Sequence, residues 1–297
     1  MNDQRFTIQF EVSEPTLLRE AIQAYGISKR ALTSIKFDGG QITVNGSEQN
    51  VRYRLKPGDL VTIKFPLEEA SDGLLPEHGE LEIVYEDEAV LVVNKPAGMS
   101  SIPSREHPTG SMANYVLGYF AERGIHSTIH IVTRLDRDTS GIMCIAKHRH
   151  IHHIMSEMQK TGKIQREYEA IAHGVVSSQS VIAPIGRKVD SIIEREVRED
   201  GQFAHTDIRL IDAFSSNGEM YSHIRLKLHT GRTHQIRVHL AYLGHPLVGD
   251  ELYGGARERM MRQALHCAYL EFAHPVTGEH LQFELALPLD LQNFLQK

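Results

Sequence analysis

A chain of 297 residues, 41% of them apolar, is long enough to bury one large core and a second, smaller one. Its formal net charge of −6 excludes a protein that coats nucleic acid indiscriminately, so any nucleic-acid site has to be a local basic patch on an acidic body. Two cysteines, Cys144 and Cys267, suggest neither a disulfide framework nor a thiolate metal centre, and both sit in apolar segments as buried, inert thiols do. The opening residues Met1 to Phe6 lack the basic and apolar regions of a signal peptide, and no apolar run approaches membrane-spanning length, which predicts a cytoplasmic protein.

Alternation from Phe6 to Val12 predicts a half-buried strand, and the spacing of apolar residues predicts helices over Leu17–Tyr25 and Ser28–Lys36. Strands follow at Gln41–Asn45 and up to Phe65, with a turn at Asn45-Gly46. Residues 1–66 carry nine Lys and Arg against seven Asp and Glu, a net of +2, opposite in sign to the whole chain. The order helix, helix, hairpin is similar to the small RNA-binding module shared by a ribosomal small-subunit protein and many RNA-modifying enzymes. On that resemblance Lys29, Arg30 and Lys36 are expected to meet RNA. The bland alternative is a generic accessory domain.

Residues 67–80 are acidic, rich in Gly and Pro and without a basic residue, the composition of a solvated linker that stays off a phosphate backbone. The main domain, residues 81–297, opens with strands at Leu81–Tyr85 and Val90–Asn94. Lys95 then stands at a strand end, either solvated or reaching for phosphate. A long loop over Ala97–Gly110 leads to a helix at about Ser111–Arg123.

The stretch from Thr133 to Gly141 reads Thr-Arg-Leu-Asp-Arg-Asp-Thr-Ser-Gly and precedes the apolar run Ile142–Ala146, a buried strand. Two guanidiniums, of Arg134 and Arg137, flank Asp136 in sequence and favour its charged form, which suits a nucleophile or a stabiliser of positive charge better than a proton donor. A surface ion-pair knot is the alternative for an isolated motif of this kind. Four histidines in His148–His153 invite a metal reading, but no H-E-x-x-H occurs and no acid stands as a third ligand; a polar helix face near RNA is expected instead. In Arg166–Ala172, alternation puts Tyr168 inward. Residues 181–202 look like an insertion or flexible hairpin. Tyr221–Leu228 reads as a strand, and Thr230-Gly231-Arg232-Thr233 turns into a helix over His234–Leu243, where Thr233 can cap the first turn. Strands at Ala268–Ala273 and Leu281–Leu287 and a short helix near Leu291 close the chain.

The segment Arg134–Gly141, with Asn94-Lys95-Pro96-Ala97-Gly98, Arg166–Ala170, Thr230–Leu240 and Gly244–Asp250 in that order, closely resembles the RluA family of pseudouridine synthases, over roughly Leu81 to Pro288. The resemblance implies an α+β fold built on a large, mostly antiparallel mixed sheet. The implied activity is isomerisation of specific uridines to pseudouridine in structured RNA, ribosomal RNA first and transfer RNA second, by a monomer without cofactor or metal. It makes Asp136 the nucleophile, on the sugar or on the base, Tyr168 the aromatic that stacks on the target uracil, and Arg237 a buried arginine paired with Asp136. Arg134, Arg137, Lys95, Arg232, His234 and Gln235 become candidate substrate contacts. The chain departs from the family pattern at Thr133, where histidine is usual. Two rivals are a noncatalytic RNA-binding or ribosome-assembly factor that kept the fold, and a metal-dependent hydrolase, which rests only on the eighteen histidines.

Overall fold

The structure, a computed structural model, describes residues 5–69, 73–104 and 107–296. Residues 1–4, which include Asp3, residues 70–72 of the acidic segment, Arg105 and Glu106 of the long loop, and Lys297 lie outside the described residues.

The first sixty-odd residues form a four-stranded antiparallel sheet in the order Thr7–Glu11, Leu60–Lys64, Gln41–Val44, Ser47–Glu48. Asn45 and Gly46 both take positive φ, 50° and 79°, the two-residue hairpin turn whose twist matches the strands it joins. Helices Leu18–Ala24 and Lys29–Phe37 cover the sheet, and the Ser28 hydroxyl caps the second by accepting the Ala31 N–H at 3.2 Å. Ile8, Leu18, Ile22, Ile35, Val61 and Ile63 make a core separate from that of the rest of the chain.

Ten strands form the large sheet. Its main path runs Gln179–Ile182, His205–Ser216, Glu219–Leu228, Ile164–His173, Leu265–Ala273, Ser140–Ala146, Val90–Lys95, Glu82–Glu86. Every pairing is antiparallel except that of Ser140–Ala146 with Leu265–Ala273. Val90 to Val93 and the whole of Ser140–Ala146 are buried, which explains why these strands read as unbroken apolar runs instead of alternating. Gly141 sits where the parallel pair begins, at φ 116°. A Cβ there would lie 2.2 Å from the Cys267 carbonyl oxygen, so only glycine lets the Asp136 loop enter the sheet this close to its neighbour. Both thiols are buried, and burial pushes Cys267 up to about 11 and Cys144 higher still.

Of the two alternatives for residues 181–202 the structure has the hairpin: after the end of one sheet strand, Ile185–Arg187 pairs with Arg195–Val197 as a separate ribbon. Two expectations change. The acidic segment is not wholly solvated, because the Glu68 carboxylate is buried against His130 at 2.6 Å and His148 at 3.3 Å and accepts the Arg149 N–H at 2.7 Å. The histidines beside it do not all face solvent. His148 stacks on Phe6, with ring centres 4.8 Å apart, and His150 on Phe65 at 5.0 Å, so helix Arg149–Lys160 offers a buried edge to the N-terminal domain.

Burial, with neighbouring positive groups adding, holds His148 and His150 down to about 4. Glu68 opposes this at His148 but does not overcome it. Since the folded values lie below the ordinary histidine value, these groups stabilise the docked arrangement fully above about pH 6.5 and progressively less as pH falls toward 4. Hydrogen exchange around residues 148–151 and 65–68 is therefore expected to accelerate between pH 7 and pH 5, after correction for intrinsic rates. Unchanged protection at pH 5 would contradict this.

Candidate active site

A narrow pocket of about 70 Å³ opens into a groove of about 450 Å³, and both are lined by Arg134, Asp136, Arg166 and Arg232. Asp136 stands between them on the loop before Ser140–Ala146, its side chain 28% exposed. The loop is held rigidly. Its Asp136 carbonyl accepts the Thr139 N–H at 3.1 Å to close a turn, the Ser101 hydroxyl accepts the Leu135 N–H at 3.0 Å, and Gln263 donates to the Thr139 hydroxyl at 3.2 Å. Arg262 donates to the Asp138 carbonyl at 3.1 Å while pairing with Asp290 at 2.7 Å.

Tyr168 comes from the neighbouring strand Ile164–His173, where the pairing register shifts between Glu167 and Tyr168. Such a bulge re-aims a side chain, and here Tyr168 and Arg166 share one face and both line the pocket. Burial drives the Tyr168 phenol far above its ordinary value, so it stays protonated and uncharged. Arg166 is 7% exposed, and its Nε has no hydrogen-bond partner among the described residues.

The cation beside Asp136 is Arg237, whose Nη1 lies 3.4 Å from the carboxylate. Its stronger partner is Asp250, which receives Nε and Nη2 at 2.7 Å each and is 1% exposed. The guanidinium also lies 4.9 Å over the Tyr253 ring. Burial alone would lower the Arg237 pKa, but the hydrogen bonds and charge of Asp250, with Asp136 adding, raise it above the ordinary value. His234 completes the group: its Nε2 is 3.9 Å from Asp136, and its Nδ1 is 2.8 Å from the Tyr253 hydroxyl. Burial, more than the opposing Asp136, lowers its pKa. The result is a single carboxylate of limited exposure in a cleft otherwise rich in arginine, suited to an anionic, phosphate-bearing ligand.

Residues 89–242 match the family described as RNA pseudouridylate synthase. The chain is 52% identical over 281 residues to the uncharacterized RNA pseudouridine synthase YjbO of Bacillus subtilis, spanning 94% of this chain and 98% of that one. The chain belongs to the RNA pseudouridine synthase family. It is thus an isomerase acting on RNA, which sets aside the noncatalytic and hydrolase rivals. It is also 35% identical to the ribosomal large subunit pseudouridine synthase D of Pseudomonas aeruginosa, over 95% of this chain and 92% of that one. Among solved structures, the human RNA pseudouridylate synthase domain containing 1 is similar at a TM-score of 0.56 and 26% identity, covering 74% of this chain and 96% of that one. Among the described residues no helix is long and apolar enough to cross a membrane.

Asp136, Tyr168, Arg237, Arg134, Arg232 and His234 all line the pocket of the synthase. Arg137 lines the outer groove and donates to the Gly98 carbonyl at 3.3 Å. Among the described residues neither Arg134 nor Arg137, although close in sequence, forms an ion pair with Asp136.

Lys95 is corrected, whereas Gln235 lines the pocket with its amide engaged internally. Lys95 is fully buried and donates to the carbonyls of Pro96, Met99 and Arg137 at 2.8, 2.7 and 3.0 Å, so it braces the Asp136 loop from behind and reaches no phosphate. Burial, opposed by Asp138 and Asp136, lowers it to about 7. Gln235 is 3% exposed and its amide is used internally: it accepts from Thr230 Oγ1 and the Arg232 N–H, and donates to the His205 carbonyl and Thr206 Oγ1.

Thr233 does not cap the helix either. The helix is Gln235–Tyr242, its preceding residue His234 has φ 57°, and no side chain caps it. From this left-handed backbone the His234 imidazole lies 3.9 Å from Asp136. At Thr133, the departure from the family pattern, the hydroxyl is buried and accepts the Cys144 N–H at 2.9 Å. Arg166, Asp250 and Tyr253 went unassigned in the sequence. Arg166 and Asp250 fall inside the family-like segments, and that position was the available signal; for Tyr253 there was none.

Proposed function

We propose that the Asp136 cleft isomerises uridine in structured ribosomal RNA, with Asp136 as the nucleophile. The observation that carries this is the partly exposed Asp136 carboxylate held against Arg237, which Asp250 fixes in place. In the reaction the bond from the sugar C1′ to uracil N1 breaks, the base turns while it is held, C5 bonds to C1′, and the C5 proton is lost as N1 gains one. Asp136 bonds transiently to the sugar or to the base, and both routes conserve atoms and electrons without a cofactor.

The target atoms are inaccessible in a stacked helix, so the nucleotide has to be flipped out, at about a few kcal/mol. Tyr168 against the base offsets part of this, stacking being worth roughly 1–3 kcal/mol per base. Arg134, Arg137, Arg166 and Arg232 hold the distorted backbone through its phosphates. The large-subunit relative from Pseudomonas aeruginosa supports ribosomal RNA over transfer RNA. Tritium release from C5-labelled uridine tests the choice: ribosomal RNA fragments should release it and transfer RNA transcripts should not. The reverse pattern would overturn the assignment.

The N-terminal residues 1–66 are proposed as a second RNA contact. Lys29, Arg30 and Lys36 are exposed along one helix, Phe37 beside them is 71% exposed, and the Lys36 ammonium lies 4.6 Å from its ring. Cations next to an open aromatic face suit an unpaired stretch of RNA. Changing all three cations to Gln is expected to weaken RNA binding and lower the salt slope by roughly 2, since about 0.7 counterions are released per single-strand contact. An unchanged slope in filter binding across salt would remove this contact from the account.

A further inference from the structure

We infer that His205, Asp207 and His229 form a binding site for a borderline divalent cation such as Zn²⁺, outside the uridine cleft. His205 and Asp207 are alternate residues on strand His205–Ser216 and so share a face; His229 follows the end of Glu219–Leu228, and its N–H donates to the His205 carbonyl at 3.2 Å. The two imidazoles stack with ring centres 4.1 Å apart and planes within 13°. Both point Nε2 at one carboxylate, His205 at 3.1 Å from Oδ1 and His229 at 2.6 Å from Oδ2 of Asp207.

One ligand atom from each of the three residues falls within 4.8 Å of the others. A tetrahedral zinc with bonds of about 2.1 Å places its donors roughly 3.4 Å apart, so small side-chain rotations close the site. Two imidazole nitrogens and one carboxylate oxygen are a donor set for zinc-like ions and poor for Mg²⁺ or Ca²⁺, and they leave a fourth position for water.

The surroundings fit. The Ser180 hydroxyl hydrogen-bonds to Asp207 Oδ1 and orients the carboxylate from outside, as second partners of metal-ligating acids do. Lys227, paired with Asp207 across the sheet, turns its ammonium away to Gln165 Oε1 at 2.7 Å and so does not occupy the carboxylate. The His205 backbone is fixed on both sides, its N–H donating to Thr230 Oγ1 at 3.0 Å and its carbonyl accepting from Gln235 at 2.9 Å. An ion here would therefore brace the base of the loop that carries Arg232 and His234. Sequence spacing hid the site because the third ligand comes from the partner strand.

ZnCl₂ titrated into the untagged protein against a chromophoric chelator tests the assignment. The wild type is expected to bind one equivalent at least tenfold more tightly than the His205→Gln/His229→Gln variant, and to melt at a higher temperature with Zn²⁺ than with EDTA. His78→Gln/His280→Gln, which removes two exposed histidines elsewhere, should bind as the wild type does. His229→Gln alone serves if the double variant does not fold. Equal Zn²⁺ affinity in wild type and the site variant, or no stoichiometric binding by the wild type, would overturn the site.

Discussion

Asp136→Asn is expected to reduce single-turnover pseudouridine formation by at least four orders of magnitude, a barrier increase of about 5.5 kcal/mol, with the fold intact. The substitution removes charge but almost no volume, the Asp136 side chain is 28% exposed, and Arg237, 3.4 Å away, keeps both hydrogen bonds to Asp250, so no buried charge is stranded. RNA affinity should stay within about threefold or tighten, because one negative charge leaves an arginine-rich groove. Binding and chemistry separate. Single-turnover assays with excess enzyme, beside filter binding on the same RNA, measure both, and mass spectrometry excludes deamidation back to Asp. A variant that loses binding in proportion to activity would mean that Asp136 positions RNA and does not act on it.

Arg237→Met is expected to damage both activity and stability. The stranded acid is Asp250, 1% exposed and bound through both oxygens to the lost guanidinium, more than Asp136. Removing one partner of a buried pair typically destabilises by about 3–5 kcal/mol, which urea denaturation would register. Activity should fall roughly a thousandfold, about 4 kcal/mol, since Asp136 loses its nearest cation and His234 its fixed surroundings. Adding Asp250→Asn to Arg237→Met should restore much of the stability and little of the activity, because the buried charge is gone but Asp136 is still unheld. Joint recovery would show that Arg237 serves only the fold. Adding Asp136→Asn to Arg237→Met should lower activity little beyond Asp136→Asn alone, as for residues that act as a unit.

The buried strands were legible because Val90–Val93 and Ile142–Ala146 are covered on both faces, which removes polar residues outright. Helix Met112–Glu122 lies within the expected Ser111–Arg123, and the structure fixes its start through Ser111, whose hydroxyl and Asn114 cap each other reciprocally. Asp136 and Tyr168 could be picked out because each lies in a contiguous motif. What failed were inferences from adjacency. Arg134 and Arg137 neighbour Asp136 in the chain and line the same cleft, but the cation found within ion-pair distance of its carboxylate is Arg237, 101 residues away. Lys95 is the strand end it looks like, but it is neither solvated nor at a phosphate: it pairs with Gly141 and is sealed under the loop it braces. Gln235, a candidate substrate contact by resemblance, lines the pocket with its amide engaged by Thr230, Arg232, His205 and Thr206. The buried edge of the histidine helix depends on Phe6 and Phe65, from a domain whose docking no local pattern encodes.

The central claim, that Asp136 drives uridine isomerisation in ribosomal RNA, is tested most directly by mapping pseudouridine across total RNA in cells lacking the gene and re-supplied with either the wild-type or the Asp136→Asn chain. The account predicts that at least one site in ribosomal RNA is lost without the gene, returns with the wild type, and stays absent with Asp136→Asn at equal protein level. Return of the modification with Asp136→Asn would contradict it.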